Sequence, residues 1–242
     1  MFNVQIFPGI KITNDLCLWM EDRGILALAD LHIGLEAALE ATGVHIPRIQ
    51  SATMKESLIR IMDRYDPDTI LILGDLKHEF SGNLDQEWKD VRDILSMLRD
   101  SATVKVAKGN HDNYLANISH RLGIEVADSF EIDGIAFMHG HAQSAHRPLV
   151  IGHEHPSVRI FDRVGAYLKL PCFLHFETEQ ILVLPAFSPL AAGTDFTNLG
   201  RADTMSPVLE AADIEDAKVY ACTEIGLLAL GTIRDLSRIR TF

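Results

Sequence analysis

A chain of 242 residues that is 47% hydrophobic carries enough apolar material for a packed core, and one domain spanning 1–242 is the simplest reading. Its formal net charge of -12 sets long-range electrostatics against a polyanion. That argues against a bulk nucleic-acid binder but leaves room for a local groove served by cations.

Apolar runs such as Ile25–Ala29 and Ile70–Leu73 are far too short to cross a bilayer, and no basic-then-apolar leader opens the chain. Cys17, Cys172 and Cys222 are odd in number, scattered and without metal-ligand spacing. The expectation is a cytoplasmic protein with free thiols and no membrane partner, in which any metal rests on His and carboxylate.

In chain order, Val4-Gln5-Ile6 and Cys17-Leu18-Trp19 read as short strands, with turns at Asn14-Asp15 and Asp22-Arg23-Gly24. The continuous apolar run Ile25–Ala29 suits a strand buried on both faces and stops at Asp30. A helical piece follows Gly34 and runs through Ala41. A second begins near Pro47 and places Met54, Leu58, Ile61, Met62 and Tyr65 on one face before Asp66-Pro67 stops it.

Thr69–Leu73 is the next buried strand, with Gly74-Asp75 at its end. A helix with Trp88, Val91, Leu95 and Leu98 on one face follows, then a strand over Thr103–Ala107 that leads into Gly109-Asn110-His111-Asp112, just before Tyr114. This alternation from 25 to 109 predicts a parallel sheet with right-handed crossovers and ligands at the strands' carboxyl ends.

From residue 129 the rhythm changes to closely spaced strands: Phe130–Ile132, Ile135–Met138, Leu149–Ile151, Val158–Phe161, Ala166–Leu168, Phe173–Phe176 and Ile181–Leu184. A last pair covers Lys218–Ala221 and Ile225–Leu230. A mostly antiparallel second sheet packed on the first is the economical arrangement. Residues 191–217, with Gly193, Asn198, Gly200, Ser206 and Pro207 among several acids, read as a surface loop.

Five polar stretches close these apolar runs: Asp30-Leu31-His32, Gly74-Asp75-Leu76-Lys77-His78, Gly109-Asn110-His111-Asp112, His139-Gly140-His141 and Gly152-His153-Glu154-His155. Any one of them alone would pass for a turn, a helix cap or a surface His pair. All five follow predicted strands, so they can meet at one rim. Asp30, His32, Asp75, Asn110, His139, His153 and His155 then offer two carboxylates, an amide oxygen and four imidazoles. This mixed set suits Mn, Fe, Zn, Co or Ni rather than Ca, and is too large for one tetrahedral ion. Two ions roughly 3.5–4 Å apart that share a carboxylate would use all of it.

With these motifs in this order the chain resembles the calcineurin-like metallophosphoesterases, whose signature runs D-x-H, G-D-x-x, G-N-H-D/E, H and G-H-x-H. The resemblance implies a four-layer αββα sandwich, two facing mixed β-sheets flanked by helices. It implies one metal on Asp30, His32, Asp75 and His155 and a second on Asp75, Asn110, His139 and His153, with Asp75 as the bridge. His111 becomes the general acid on the leaving oxygen or a stabiliser of the phosphate, and Asp112 fixes its orientation. The reaction implied is phosphodiester hydrolysis by a metal-bridging hydroxide, with Mn²⁺ as the leading choice of metal.

Either His139 or His141 can fill the strand-end ligand position. His139 is the choice, leaving His141, like His78, for substrate. Glu154, between two ligands, is expected to face away into a hydrogen bond.

The phrases Leu28–Gly34, Gly74–His78, Gly152–Pro156 and Phe187–Ala191 further resemble the small SbcD-related phosphoesterases, a subgroup that includes ligase-associated members close to DNA-repair nucleases. That narrower resemblance implies DNA, as single strands or ends, for the phosphodiester partner. Nucleotides or cyclic nucleotides are the alternative substrates, a non-catalytic scaffold is the alternative role, and a homodimer is an allowed state.

Overall fold

Alternation of apolar side chains decides how the strands are layered. The computed structural model describes every residue except 1, 42, 45–49, 79–84, 114, 163, 192, 199–203 and 240–242. Its first sheet contains β1 (Asn3–Phe7), β2 (Ile10–Thr13), β3 (Leu18–Met20), β4 (Ile25–Leu28), β5 (Thr69–Leu73), β6 (Thr103–Ala107) and β7 (Glu125–Ala127), side by side in that order. Pairing is antiparallel from β1 to β4 and parallel from β4 to β7. The parallel connections run through α1 (Leu35–Ala41), α2 (Gln50–Tyr65), α3 (Asp85–Arg99) and α4 (Ala116–Leu122).

Leu26, Leu28, Ile70, Ile72, Val104 and Val106 pack under these helices with Met54, Leu58 and Ile61 of α2 and Val91, Leu95 and Leu98 of α3. The intervening Ala27, Leu71, Leu73 and Ala107 face the opposite way, into the space between the sheets. Both faces of these strands are covered, which is why they are apolar throughout.

The second sheet contains β8 (Ser129–Ile132), β9 (Ile135–Met138), β10 (Leu149–Ile151), β11 (Pro156–Phe161), β12 (Tyr167–Phe176), β13 (Ile181–Val183), β14 (Thr194–Asp195), β15 (Lys218–Thr223) and β16 (Gly226–Thr232). Its order is β14-β11-β12-β13-β10-β9-β8, with β15 on β12 and β16 on β15. Phe137, Val150, Phe173, Leu182 and Leu184 meet the first sheet. Met138, Leu149, Ile151, Leu174, Phe176 and Val183 belong to a separate outer core that includes Ile233, the first residue of α5 (Ile233–Ile239). The architecture is the expected four-layer αββα sandwich of two mixed sheets. At the centre of the second sheet β9, β10 and β13 run parallel, with antiparallel pairs around them.

Two local expectations change. Tyr167-Leu168 of the predicted Ala166–Leu168 strand and Phe173–Phe176 are parts of one ten-residue strand, β12 (Tyr167–Phe176). Pro171 lacks an N–H for a ladder, and it sits where β12 stops pairing with β11 and begins, at Cys172, to pair with β15. The described residues of 191–217 are not a surface loop either, because Phe196, Val208, Leu209, Ala212 and Ile214 are buried in the outer core. The predicted helix start near Pro47 and Tyr114 lie outside the described residues; α2 is recorded from Gln50. No helix among the described residues is long and apolar enough to cross a membrane.

Candidate metal centre

The polar stretches gather because each follows a strand end on the same rim, where backbone hydrogen bonds tie neighbouring strand ends within each sheet. Asp30 N–H donates to Gly74 O (3.2 Å), His32 N–H to Asp75 O (2.8 Å) and Gly152 N–H to His139 O (2.9 Å). His153 N–H donates to Asp30 Oδ2 (2.9 Å), joining β10 to β4. Close approach needs glycine at two points. A Cβ on Gly109 would overlap the Asp75 carboxylate and backbone nitrogen, and one on Gly74 would overlap the His139 ring.

Five of the nine non-glycine residues with positive φ among the described residues are here: Asp30 (57°), His32 (44°), Asp75 (47°), His153 (70°) and His155 (45°). Left-handed backbone at such residues persists only where the surroundings enforce it, and it clusters at functional sites.

Two sets of ligand atoms result, each lying within 4.8 Å of one another: Asp30, His32, Asp75 and His155, and Asp75, His139 and His153. Asp75 is common to both. His32 Nε2 lies 3.0 Å from His155 Nε2, and His139 Nε2 lies 3.0 Å from both His153 Nδ1 and the Asn110 amide oxygen. The Asp75 Oδ2 atom is 3.4 Å from His139 Nε2 and 3.7 Å from His32 Nε2.

The donor set fits divalent cations. Asp30 is fully buried, and its Oδ1 has no hydrogen-bond partner although His155 Nε2 and His139 Nδ1 stand 3.5 Å away. A buried carboxylate oxygen left so is costly unless a cation completes it. Each set can therefore coordinate a divalent ion, and His139 is already oriented for it. The carbonyl of Leu73 lies 3.0 Å from His139 Nδ1 and can only accept, so Nδ1 carries the proton and Nε2 faces Asp75.

Burial pushes His32 and His153 down to about 4, which leaves both neutral with lone pairs available. Burial also works against a charge on His139, but its hydrogen bond to Asp75 and the nearby Asp30 carboxylate win and raise it to about 9. Burial would raise Asp75, yet His139 holds its carboxyl well below the usual range. Metal-free protein thus keeps a proton between His139 and Asp75 that a cation must displace.

The sign for stability follows. Between pH 4 and the ordinary histidine value of 6.5, the unfolded chain binds protons that folded His32 and His153 refuse, so their contribution to stability rises with pH. Between 6.5 and 9 folded His139 holds a proton that the unfolded chain has lost, so its contribution falls. Melts of metal-free protein should show Tm peaking near pH 6.5, and saturating Mn²⁺ should abolish the alkaline decline. A metal-free Tm that climbs from pH 7 to 9 would contradict this proton placement.

The remaining residues singled out in the sequence surround this cluster. His111, half-buried, places Nε2 4.0 Å from Asp75 Oδ2 and has Nδ1 2.6 Å from the His78 carbonyl. The expectation that Asp112 orients His111 meets a different arrangement. Asp112 accepts from Leu76 N–H (2.9 Å) and Gly109 N–H (2.8 Å), so it braces the loop backbone, while the His78 carbonyl holds the His111 ring. The His78 ring stacks on His111 at 5.8 Å with an interplanar angle of 15°, and its Nδ1 lies 3.4 Å from His32 Nδ1. His141 is exposed, with its ring 5.3 Å from that of His139 and outside both ligand sets.

Sequence reasoning missed Glu36, Gln50 and Ser188. Gln50 donates through Nε2 to His32 O (2.8 Å) and Ser188 Oγ (3.0 Å), and its N–H donates to Glu36 Oε2 (2.9 Å). Ser188 N–H in turn donates to Asp30 O (3.2 Å). These buried residues hold the Asp30–His32 turn from behind. The phrase containing Ser188 was visible, but its partners on the helices carried no signal.

A family model described as calcineurin-like phosphoesterase matches residues 24–209, which include every member of both ligand sets. The chain belongs to the calcineurin-like phosphoesterase family. This family member is similar in fold to the nuclease MPE of Pseudomonas putida, at 22% identity and a TM-score of 0.67, over 91% of this chain and 96% of that one. It is similar to a lesser degree to Yfce, a phosphoesterase from E. coli, at 15% identity and a TM-score of 0.40, over 88% and 94% of the two chains. AQ665 from Aquifex aeolicus matches at 17% identity and a TM-score of 0.37, over 58% of this chain and 81% of its own. No curated protein matches this chain.

Proposed function

We propose that the protein is a binuclear-metal phosphodiesterase of the small SbcD-related subgroup, acting on DNA at single strands or ends. The observation that carries the reading is the pair of ligand sets sharing Asp75, with His111 Nε2 4.0 Å from that carboxylate. One ion belongs on Asp30, His32, Asp75 and His155, the other on Asp75, Asn110, His139 and His153; Mn²⁺, the choice the family resemblance implies, is one of the metals that the mixed nitrogen and oxygen donors suit. When bound, such a pair neutralises phosphoryl oxygens and acidifies water.

The chain's own groups do the rest. His111 holds a proton at Nε2 for the leaving oxygen while the His78 carbonyl fixes its ring through Nδ1. Asp112 keeps the loop that carries His111 in place, and His78 and His141 flank the substrate phosphates. The same reading treats 1–242 as one domain working in the cytoplasm, alone or as a homodimer.

The subgroup phrases support DNA, as does the fold shared with a protein named as a nuclease. The net charge of -12 favours a second reading, a phosphodiesterase of nucleotides or cyclic nucleotides. Incubation with Mn²⁺ and either a single-stranded oligonucleotide or an aryl phosphodiester separates them. Cleavage of both is expected. Cleavage of the small ester alone transfers the function to small nucleotides, and cleavage of neither leaves a scaffold.

A further inference from the structure

Glu154 is a fully buried carboxylate that neither ligand set uses, although it lies between His153 and His155. Its Oε1 accepts from Ser206 N–H at 2.5 Å, while its Oε2 has no hydrogen-bond partner. Ser206, itself buried, donates through Oγ to the carbonyl of Gly140 at 2.6 Å. One residue therefore spans two loops, the one after β9 that begins with His139 and the one after β10 that carries His153 and His155.

The same chain segment grips the far side of the second loop. Thr194 N–H donates to His155 O (2.8 Å), and Ser157 Oγ donates to Thr194 O (2.9 Å). Gly193 packs so close that a Cβ there would stand 2.9 Å from the His155 carbonyl. Between these two grips, His153 and His155 hold left-handed backbones that an unsupported loop would relax.

We infer that Glu154 and Ser206 are positioning residues, which lock the His139 loop and the His153–His155 loop into one rigid frame so that imidazoles from both meet the cations together. The inference rests on the two-metal reading above. Neither residue belongs to a ligand set. Their effect is to keep the ligand geometry preset, so that binding energy is not spent on ordering two loops.

The test is Mn²⁺ titration by calorimetry, with metal content per chain, on wild type, Glu154→Ala, Glu154→Gln and Ser206→Ala, alongside metal-free melting curves. Wild type should bind two ions. Glu154→Ala and Ser206→Ala should remain folded and lose about 10–100-fold in affinity for at least one of them. Glu154→Gln should stay within about threefold of wild type, because its amide oxygen accepts the same Ser206 N–H.

If both alanine variants bind Mn²⁺ as tightly as wild type, the positioning role is overturned. It is overturned equally if Glu154→Gln falls as far as Glu154→Ala, since charge and not the hydrogen bond would then matter. Should Glu154→Ala fail to fold, Ser206→Ala decides the question: it removes the bond to Gly140 and the cap on Val208 N–H but leaves the Ser206 N–H that Glu154 accepts. A wild type that binds fewer than two ions overturns the two-metal reading instead.

Discussion

Asp75→Asn should leave a folded protein that binds at most one Mn²⁺ and turns over a phosphodiester about 10³-fold more slowly, or worse. The fold should survive because the amide oxygen can still accept from His111 N–H, the 3.0 Å bond that the carboxylate Oδ1 makes now. The metal pair should not. Asp75 is the one residue common to both ligand sets, and its Oδ2 faces His139 at 3.4 Å and His32 at 3.7 Å. A bridging carboxylate spreads one negative charge over two cations, whereas an amide offers a neutral oxygen to one of them. Losing the charge stabilisation of a second ion costs several kcal/mol in the transition state, and about 4 kcal/mol is three powers of ten in rate. Metal content by elemental analysis together with kcat checks both halves. Two ions at wild-type affinity with turnover reduced less than tenfold would refute the bridge.

For His111→Ala the expected pattern is the converse: two ions retained and kcat reduced by about 10²–10⁴-fold. The ring belongs to neither ligand set, so its removal leaves the donors intact. Its Nδ1 lies 2.6 Å from the His78 carbonyl, which assigns that nitrogen the donor role and leaves Nε2 as the working atom 4.0 Å from Asp75. A general acid matters in proportion to the basicity of the leaving group. The loss should therefore be large on an oligonucleotide, whose leaving alkoxide needs a proton, and small on an aryl ester, whose phenolate does not. Equal losses on the two substrates would make His111 a phosphate stabiliser instead, and loss of metal with the ring would remove it from the reaction altogether.

Much of this was legible in the chain because the informative features are local. Ile70–Leu73 is apolar on consecutive residues since helices cover one face and the second sheet the other, and a polar residue directly after such a run can only emerge at the rim. Asp30 and His139 follow their runs directly and stood out that way, and the other candidate donors lie within a few residues of such an end. What stayed hidden depends on contacts far apart in sequence. The two halves of β12 read as separate strands, because nothing nearby in sequence tells that one strand changes partners at Pro171. Residues 191–217 lack periodicity and look solvated, yet Phe196, Leu209 and Ile214 fill the outer core from two short strand residues and single 3-10 turns. Gln50 and Ser188 lie 138 positions apart and meet behind Asp30 and His32. The left-handed backbones at Asp30, His32, Asp75, His153 and His155 carry no sequence mark, because the chemistry required carboxylate or imidazole where conformation alone would choose glycine.

Ser206 arrives 52 residues after Glu154 and 66 after Gly140. Translation proceeds from the amino end, so a nascent chain exposes every donor from Asp30 to His155 well before the segment that fastens them has left the ribosome. A polypeptide halted near residue 190 would carry all of these candidate donors, and the Gly152–His139 and His153–Asp30 bonds, yet lack the Thr194 and Ser206 bonds that hold the two loops from outside.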